Sequence, residues 1–565
     1  MKIGVIVDGG ALAAWQAEAL RRLGPKTEIV VYDCRNSRPE RRRLQFALYY
    51  LLNLVTVRNP RTRRAPLPDD VRVVARRPFD SEWDGAWQSL PACLLGVIRD
   101  DSPAVLVKFG MGLLRVPPAA DLAIPILSYH HGAPERFRGR PAGFYEILTS
   151  EPVMGQVVQL LSNELDRGRV AARAETRVTP HSYRATLMQA YAVSPLLLEP
   201  AIRAALSNSA EEPAQRGRNY RLPGNATVLR MVAAMAWRWL ARLGYGLFKE
   251  KLWRVATVEA DASMASIVEA LGDRGAWTDI ATPSGYRFLA DPFFHPGGGL
   301  LVEALDSRLA RGRLLRIDGG EARVVSGRGG HFSYPATIDT DAGSFVLPEV
   351  SDWSPPLAYP ITEDGLGQPF ELCLRGAPRL LDPTAFALRG TIYLFGNLAS
   401  EGGGVLRLWF ADSIDGEFAE HPSSPIRISP DGGRMGGGIA VIDGVLVRVG
   451  QDSRGAYGDG LSFFRILRID RESYAEEPAG WLRCNGVHGP HTLNLSNGHA
   501  VFDHYTNRLS LLAGVSRLRE RRSARRIEGE APSGNHVRDR GHSGDRSGQR
   551  AVGDAHDAAD RAPRS

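Results

Sequence analysis

The chain has 565 residues, 43% of them apolar, a formal charge of +7 and four cysteines. That length exceeds what one core can serve and sets an expectation of about three domains. The modest charge is spread along the chain without a nucleic-acid-binding motif, so solvated faces and a basic tail account for the arginines, and no nucleic-acid partner is expected. Cys34, Cys93, Cys373 and Cys484 lie far apart with no Cys-x-x-Cys spacing, which fits free thiols in a reducing compartment rather than a disulfide framework or a zinc site.

The opening "MKIGVIVDGGALAAW" reads as a first β-strand and not as a signal peptide. No uninterrupted apolar run reaches the ~18–20 residues needed to span a bilayer. A cytoplasmic location is the expectation. After "KIGVIVD" come a Gly pair and the amphipathic "ALAAWQAEALRRL", then "TEIVVYDC", "DDVRVVA", "PAVLVKFG" and "LAIPILSY" as further strands, with helical stretches between several of them. This alternation predicts an α/β, Rossmann-like domain over residues 1–205, with its site at the carboxyl ends of parallel strands. Gly9 and Gly10 fit either a tight turn or an anion-binding helix start.

Two features near the end of this region carry chemistry. "LAIPILSYHHG" ends a strand at Ser128-Tyr129-His130, and "EPVMGQVVQLLSNELDRG" leads a second apolar segment to Asp166. A histidine and an aspartate across a cleft can share a proton relay, the Asp orienting the His or a water. A polar strand end in which both groups satisfy backbone atoms is the competing reading. A metal is not expected, because no third ligand has suitable spacing.

Residues 206–252 read as a polar linker followed by a basic amphipathic helix, "TVLRMVAAMAWRWLARLGYGLFKEKLW", with Arg230, Arg238, Arg242 and Lys249 within roughly 120° on the wheel. Peripheral contact with an anionic membrane and docking against the flanking domains are both open for it.

From residue 253 to 512 the texture changes to short β runs and recurrent Gly turns. "ADPFFHPGGGLLVEAL", "YPATIDTDAGSFVLPEV" and "LDPTAFALRGTIYLFGN" share one layout, and "GGGIAVIDGVLVRVGQD" and "GPHTLNLSNGHAVFDH" repeat it more loosely. Their starts lie 44 to 55 residues apart, the length of a four-stranded blade, so a five-bladed β-propeller is predicted. The residues opening each unit, Asp291 and Asp382 among them, would point into a central channel. Residues 513–565 have almost no apolar periodicity, and a disordered tail is expected.

The stretch 124–170 resembles the folate-dependent formyltransferases, a family that includes enzymes acting on methionyl-tRNA, glycinamide ribonucleotide and amino-sugar nucleotides. Their pattern is Asn-x-His, a loop closing on Arg/Lys-Gly and a Leu-Asp-x-Gly. Here it is matched by His130, by Arg138 and Gly139, and by Asp166 and Gly168, with Ser128 at the position of the family's Asn. The resemblance implies a multidomain transferase moving a formyl or related acyl group to an amino sugar in surface-glycan or glycolipid synthesis. Its donor would be 10-formyltetrahydrofolate, and its partner a sugar nucleotide or glycan. Ser128, His130 and Asp166 would be catalytic, and Arg138, Gly139 and Gly168 would bind substrate.

The repeat region resembles two propeller groups. "ADPF", "LDPTAF" and "LPEV" are similar to motifs of five-bladed glycosidases of the arabinanase and invertase type, which implies Asp291 as base or nucleophile, Asp382 as orienting group and Glu349 as acid. In order, "LADPFF", "HFSYPATI", "LLDPTAF", "LWFADSIDGEFAEHPSSPI" and "VGQDSRGAYGDGL" resemble the N-terminal domain of glucosamine inositolphosphorylceramide transferases, over about 255–510. That family's Arg-Pro-Ala-Gln-Asp appears as Arg448-Val449-Gly450-Gln451-Asp452, which adds Gln451 and Asp452 to the candidate substrate-binding residues. A glycosidase-like propeller behind an inactive N-terminal domain, and a non-catalytic glycan-binding protein, stay open as alternatives.

Overall fold

The structure is a computed structural model, and it describes residues 1–518 apart from 37–42, 57–58, 165–167, 213–216, 328–329, 352 and 364. The chain divides into two compact units after Ala241. A helix, Asn225–Phe248, runs through the division.

The N-terminal unit is built on a seven-stranded sheet of β1 (Lys2–Asp8), β2 (Glu28–Cys34), β3 (Arg72–Phe79), β4 (Leu106–Lys108), β5 (Ile126–His130), β6 (Val153–Leu160) and β7 (Val170–Arg177), in the order β7-β6-β5-β4-β1-β2-β3. β1 to β5 run parallel, and β6 and β7 are antiparallel additions. β1 is apolar at almost every position because both of its faces are covered, as a central parallel strand requires. Its Ile6 packs with Val30, Tyr32, Ile98 and Leu106 in the main core.

The Gly pair after β1 resolves as a turn. Gly9 and Gly10 have φ of 61° and 69°, and the next helix begins only at Ala14. The Gly10 amide donates to Asp33 Oδ1 at 2.7 Å, so the donor an anion would use already faces a carboxylate.

The C-terminal unit contains five sheets. The first strands of four of them are Tyr286–Phe294, Phe332–Thr340, Leu380–Leu388 and Asp431–Ile442, each followed by antiparallel partners. The fifth joins Lys249–Glu259 to His499–Leu509, with Leu493–Ser496 beyond, so the two ends of the unit share one sheet. First strands pack in succession, Tyr286–Phe294 on Phe332–Thr340, that on Leu380–Leu388, that on Asp431–Ile442, and that on Leu493–Ser496.

Four of these first strands carry a register break between Ala290 and Phe293, Ser333 and Ala336, Leu381 and Thr384, and Met435 and Ile439. Three breaks contain a left-handed residue followed by proline: Asp291 (φ 48°), Tyr334 (φ 46°) and Asp382 (φ 44°). Proline has no N–H to leave unpaired where the ladder is interrupted, and the bulge turns the preceding side chain out of the sheet. The sequence repeat is therefore a repeat of bulges.

All four cysteines are free. Among the described residues, no helix is long and apolar enough to cross a membrane. The tail expected to be disordered from 513 is helical over 513–518, where Arg517 donates to the Tyr245 and Lys249 carbonyls; the rest of it lies outside the described residues.

Candidate functional site

In the N-terminal unit His130 sits half-buried at the carboxyl end of β5, with Nε2 3.1 Å from the Phe137 carbonyl oxygen. Ser128, two residues earlier, is buried and faces Gln159 of β6. Asp166 lies outside the described residues. β6 runs antiparallel to β5, so His130 pairs with Val157 and β6 ends opposite Leu127. The hairpin that follows β6 is held by Asn163, which accepts from the Val116 amide at 2.7 Å and donates to its carbonyl at 3.2 Å.

Arg138 donates to the Gly217 carbonyl at 2.8 Å, and Gly139, with φ of 83°, pairs with Tyr220. A Cβ at Gly139 would stand 2.1 Å from the Tyr220 oxygen, and one at Gly168 1.8 Å from the Leu160 oxygen. Both glycines are thus accounted for by backbone packing. His131 lies among Trp15, Tyr129 and Tyr191, with its Nε2 3.0 Å from Ser194 Oγ. Burial, with His130 alongside, brings its pKa down to about 3, so it is neutral at pH 7.

The C-terminal unit concentrates more chemistry. Among the described residues, one strand of each of the five sheets carries an acid or amide, Glu303, Glu349, Asn397, Gln451 or Asp503, and all five are buried. The bulges add Asp291, Tyr334 and Asp382. These groups knit neighbouring sheets together. The Asp291 amide donates to Asp503 Oδ2 (3.0 Å), the Tyr334 amide to Asp291 Oδ2 (3.3 Å), and the Asp382 amide to Glu349 Oε2 (3.2 Å). The Gly437 amide donates to the Tyr334 hydroxyl at 3.0 Å. These four amides, freed by the bulges, each find a polar side chain.

Amide capping engages Asp291, Glu349 and Asp503, and the cluster is larger than that. Asp291, Glu303, Glu349, Asp382 and Asp503 place five carboxyl groups together. Facing them, Arg434 donates to both oxygens of Asp382 (2.5 and 2.9 Å) and to Glu349 (3.3 Å), and Arg379 stands 3.7 Å from Glu349. His491 bridges two acids, Nε2 3.2 Å from Asp291 and Nδ1 2.6 Å from Asp503, the second contact being close as an ion pair but out of line for a hydrogen bond. Thr492 Oγ1 donates to Asp291 at 2.8 Å and Gln451 Nε2 to Asp382 at 2.9 Å.

Burial pushes the Asp291, Asp382 and Glu303 carboxyls up, Glu303 well above the usual range because Asp291 also stands beside it. His491 is raised: the adjacent Asp503 and Asp291 outweigh a desolvation that acts the other way. The Asp291, His491 and Asp503 donor atoms lie within 4.8 Å of one another, the spacing of a metal site. Both imidazole nitrogens already face carboxylates, which is the geometry of an imidazolium held between two acids.

Aromatic side chains pack over this cluster. Trp253 and Tyr457 lie with ring centroids 4.3 and 5.3 Å from His491, and Trp253 is 4.6 Å from Tyr505. Lys251 donates to the Tyr457 carbonyl at 2.6 Å and stands over Tyr505.

Of the candidate residues in this unit, Asp291, Glu349, Asp382 and Gln451 come together. Asp452 is held elsewhere, by Arg454 at 2.9 and 3.0 Å and Arg483 at 3.2 Å. Glu303, Asp503, His491 and Arg434 were not singled out in the sequence. The first two could have been, since "LVEAL" and "VFDH" occupy the place of "LPEV" in their repeats. Nothing local marks Arg434.

Residues 323–500 match the family model for "Glucosamine inositolphosphorylceramide transferase 1, N-terminal". The match includes Glu349, Asp382, Arg434, Gln451 and His491 and leaves out Asp291, Glu303 and Asp503. The protein of the same name from Oryza sativa subsp. japonica is 27% identical over 235 residues, covering 37% of this chain and 31% of that protein. Its Arabidopsis thaliana counterpart is 26% identical over 217 residues, covering 36% and 28%. The chain thus spans about a third of the length of these curated relatives. Among solved structures, glycinamide ribonucleotide transformylase 1 from Symbiobacterium toebii is similar to 39% of this chain over 94% of its own length, with 19% identity and a TM-score of 0.24.

Proposed function

We propose that this protein is a carbohydrate-acting transferase whose C-terminal unit is a five-bladed propeller that holds an amine-bearing sugar at the carboxylate cluster. The propeller reading is supported by the succession of first strands and by the terminal sheet that joins Lys249–Glu259 to His499–Leu509. The observation that carries the sugar reading is the charge balance of the cluster, Asp291, Glu349, Asp382 and Asp503 beside a Glu303 whose ionisation is disfavoured, against Arg434, Arg379 and His491, beneath Trp253 and Tyr457. An ammonium group supplies the missing charge, and the aromatic faces take the apolar face of the ring. Glucosamine, named in the relatives, is the simplest such sugar, and synthesis of a surface glycan or glycolipid the setting.

The test is calorimetry on the full chain with glucosamine, N-acetylglucosamine and glucose. Glucosamine should bind at least about tenfold tighter than the neutral sugars, a difference of ~1.4 kcal/mol, and Asp291→Asn should remove the preference. Equal affinity for all three would sink the amine reading.

The finer form of this reading is formyl or related acyl transfer to the sugar amine in the N-terminal unit. It is supported by His130 standing at the carboxyl end of a parallel strand, its ring oriented by the Phe137 carbonyl. Ser128 keeps one hydrogen-bond donor where the formyltransferases have Asn. These residues fit a 10-formyltetrahydrofolate donor, which would supply the formyl group. Ser128 would bind the formyl oxygen, and His130 would take the proton from the attacking amine and return it to the donor nitrogen as the donor's bond to the formyl carbon breaks. Saturable binding of folinic acid, weakened by His130→Ala, is the expected result. A folded protein that binds none would remove formyl transfer and leave the sugar site standing.

A glycosidase is supported less well. It would use Asp291 as base and Glu349 as acid, and Glu349 is buried and engaged by Arg434 together with Asp382.

A further inference from the structure

We infer that the C-terminal unit carries a docking surface for an anionic membrane, made by the end of the long helix and the segment that follows the last strand. Leu243, Leu247 and Phe248 leave the helix 44 to 46% exposed, and Leu509, Leu511 and Leu512 are 72, 82 and 66% exposed. The two segments are tied together. The Ser510 amide donates to the Phe248 carbonyl at 2.8 Å, Arg517 donates to the Tyr245 carbonyl at 3.2 Å and to the Lys249 carbonyl at 2.7 Å, and Gly514 lies against Leu247. Six large apolar side chains therefore gather where a globular surface ordinarily carries polar ones.

Charge selects the occupant. Lys249 and Arg508 are exposed within the same pair of strands that leads into the patch. After Arg517, which is already bound, the sequence continues "LRERRSARR", five arginines and one glutamate in nine residues. Leucines and a phenylalanine beside such a run match a bilayer with anionic headgroups, the apolar groups entering the acyl boundary and the arginines pairing with phosphate and carboxylate. A protein partner or a second copy would have to match that one-sided charge. Of the expected basic stripe on the helix, Lys249 belongs to this surface and Arg238 does not. Arg238 is already bound, donating to the Ile147 carbonyl at 2.9 Å and to Ser150 Oγ at 2.8 Å. The surface does not depend on the sugar reading.

The experiment is co-sedimentation of the full chain with phosphatidylcholine vesicles, with and without phosphatidylserine, at low and high salt. Binding should require phosphatidylserine, weaken with salt, and fall at least about tenfold in the double variant Leu511→Glu, Leu512→Glu. Both positions are exposed, so the variant should keep the wild-type circular dichroism; Leu243→Glu is the second variant should it not. Failure of the wild type to sediment would overturn the inference. So would full binding by the variants, or light scattering that shows a dimer which the double variant dissolves.

Discussion

Arg434 is the residue on which the carboxylate cluster turns. Its guanidinium is buried and engages Asp382 and Glu349 together, so removing it strands two buried acids. Arg434→Leu should destabilise the C-terminal unit by about 3–5 kcal/mol, read as a fall in its thermal transition at pH 7. The loss should shrink in acid, where both carboxyls are protonated. Glu146 offers a second test at this scale. Burial raises its carboxyl from 4.5 to about 7. A raised folded value means its contribution is complete below pH 4.5 and is lost as pH rises through 7, an effect of about 3 kcal/mol. Glu146→Gln should therefore raise the melting temperature above pH 7 relative to wild type and change it little at pH 4. Glu303 has the same sign, so Glu303→Gln should likewise gain stability relative to wild type as pH rises.

The decisive elements are the bulged first strands. Asp291, Tyr334 and Asp382 adopt a left-handed backbone that costs about 1–3 kcal/mol each, and their amides are repaid by acids of the neighbouring sheet. The fourth strand solves the same problem with glycine. Gly437 has φ of 146°, and a Cβ there would stand 2.0 Å from the Leu493 carbonyl oxygen. Gly437→Ala should cost more than about 2 kcal/mol, measured by the denaturant midpoint of the C-terminal unit. The Asp-Pro and Tyr-Pro pairs were visible in the sequence as repeat marks. Their bulge geometry was not, because it arises from pairing between strands distant along the chain.

At the scale of the whole molecule, the C-terminal unit depends on a strand contributed from its own beginning. Lys249–Glu259 pairs along its full length with His499–Leu509. A chain ended before Leu493 would leave Lys249–Glu259 without that partner and would remove Asp503 from the cluster. Such a truncation should lose protease resistance across the C-terminal unit while the N-terminal sheet, whose strands all precede residue 178, persists as a separate thermal transition. Retention of a folded C-terminal unit would show that the closing sheet is dispensable.

The sequence by itself determined the α/β texture of the N-terminal unit and the five-fold repeat, since apolar periodicity and turn residues are local properties. It also marked Asp291 and Asp382, which open repeats, while Glu349 and Gln451 were marked by resemblance to known families. Tertiary structure decided the rest. Arg434 acquires its meaning only when Leu380–Leu388 and Asp431–Ile442 lie side by side, and His491 only when Asp291 and Asp503 approach it from strands more than two hundred residues apart in the chain. The direction of β6, which sets Val157 and not the route to Asp166 opposite His130, likewise follows from strand pairing that no local pattern encodes. Charge compensation and register are properties of neighbours in space, and one sequence read along its length contains them only implicitly.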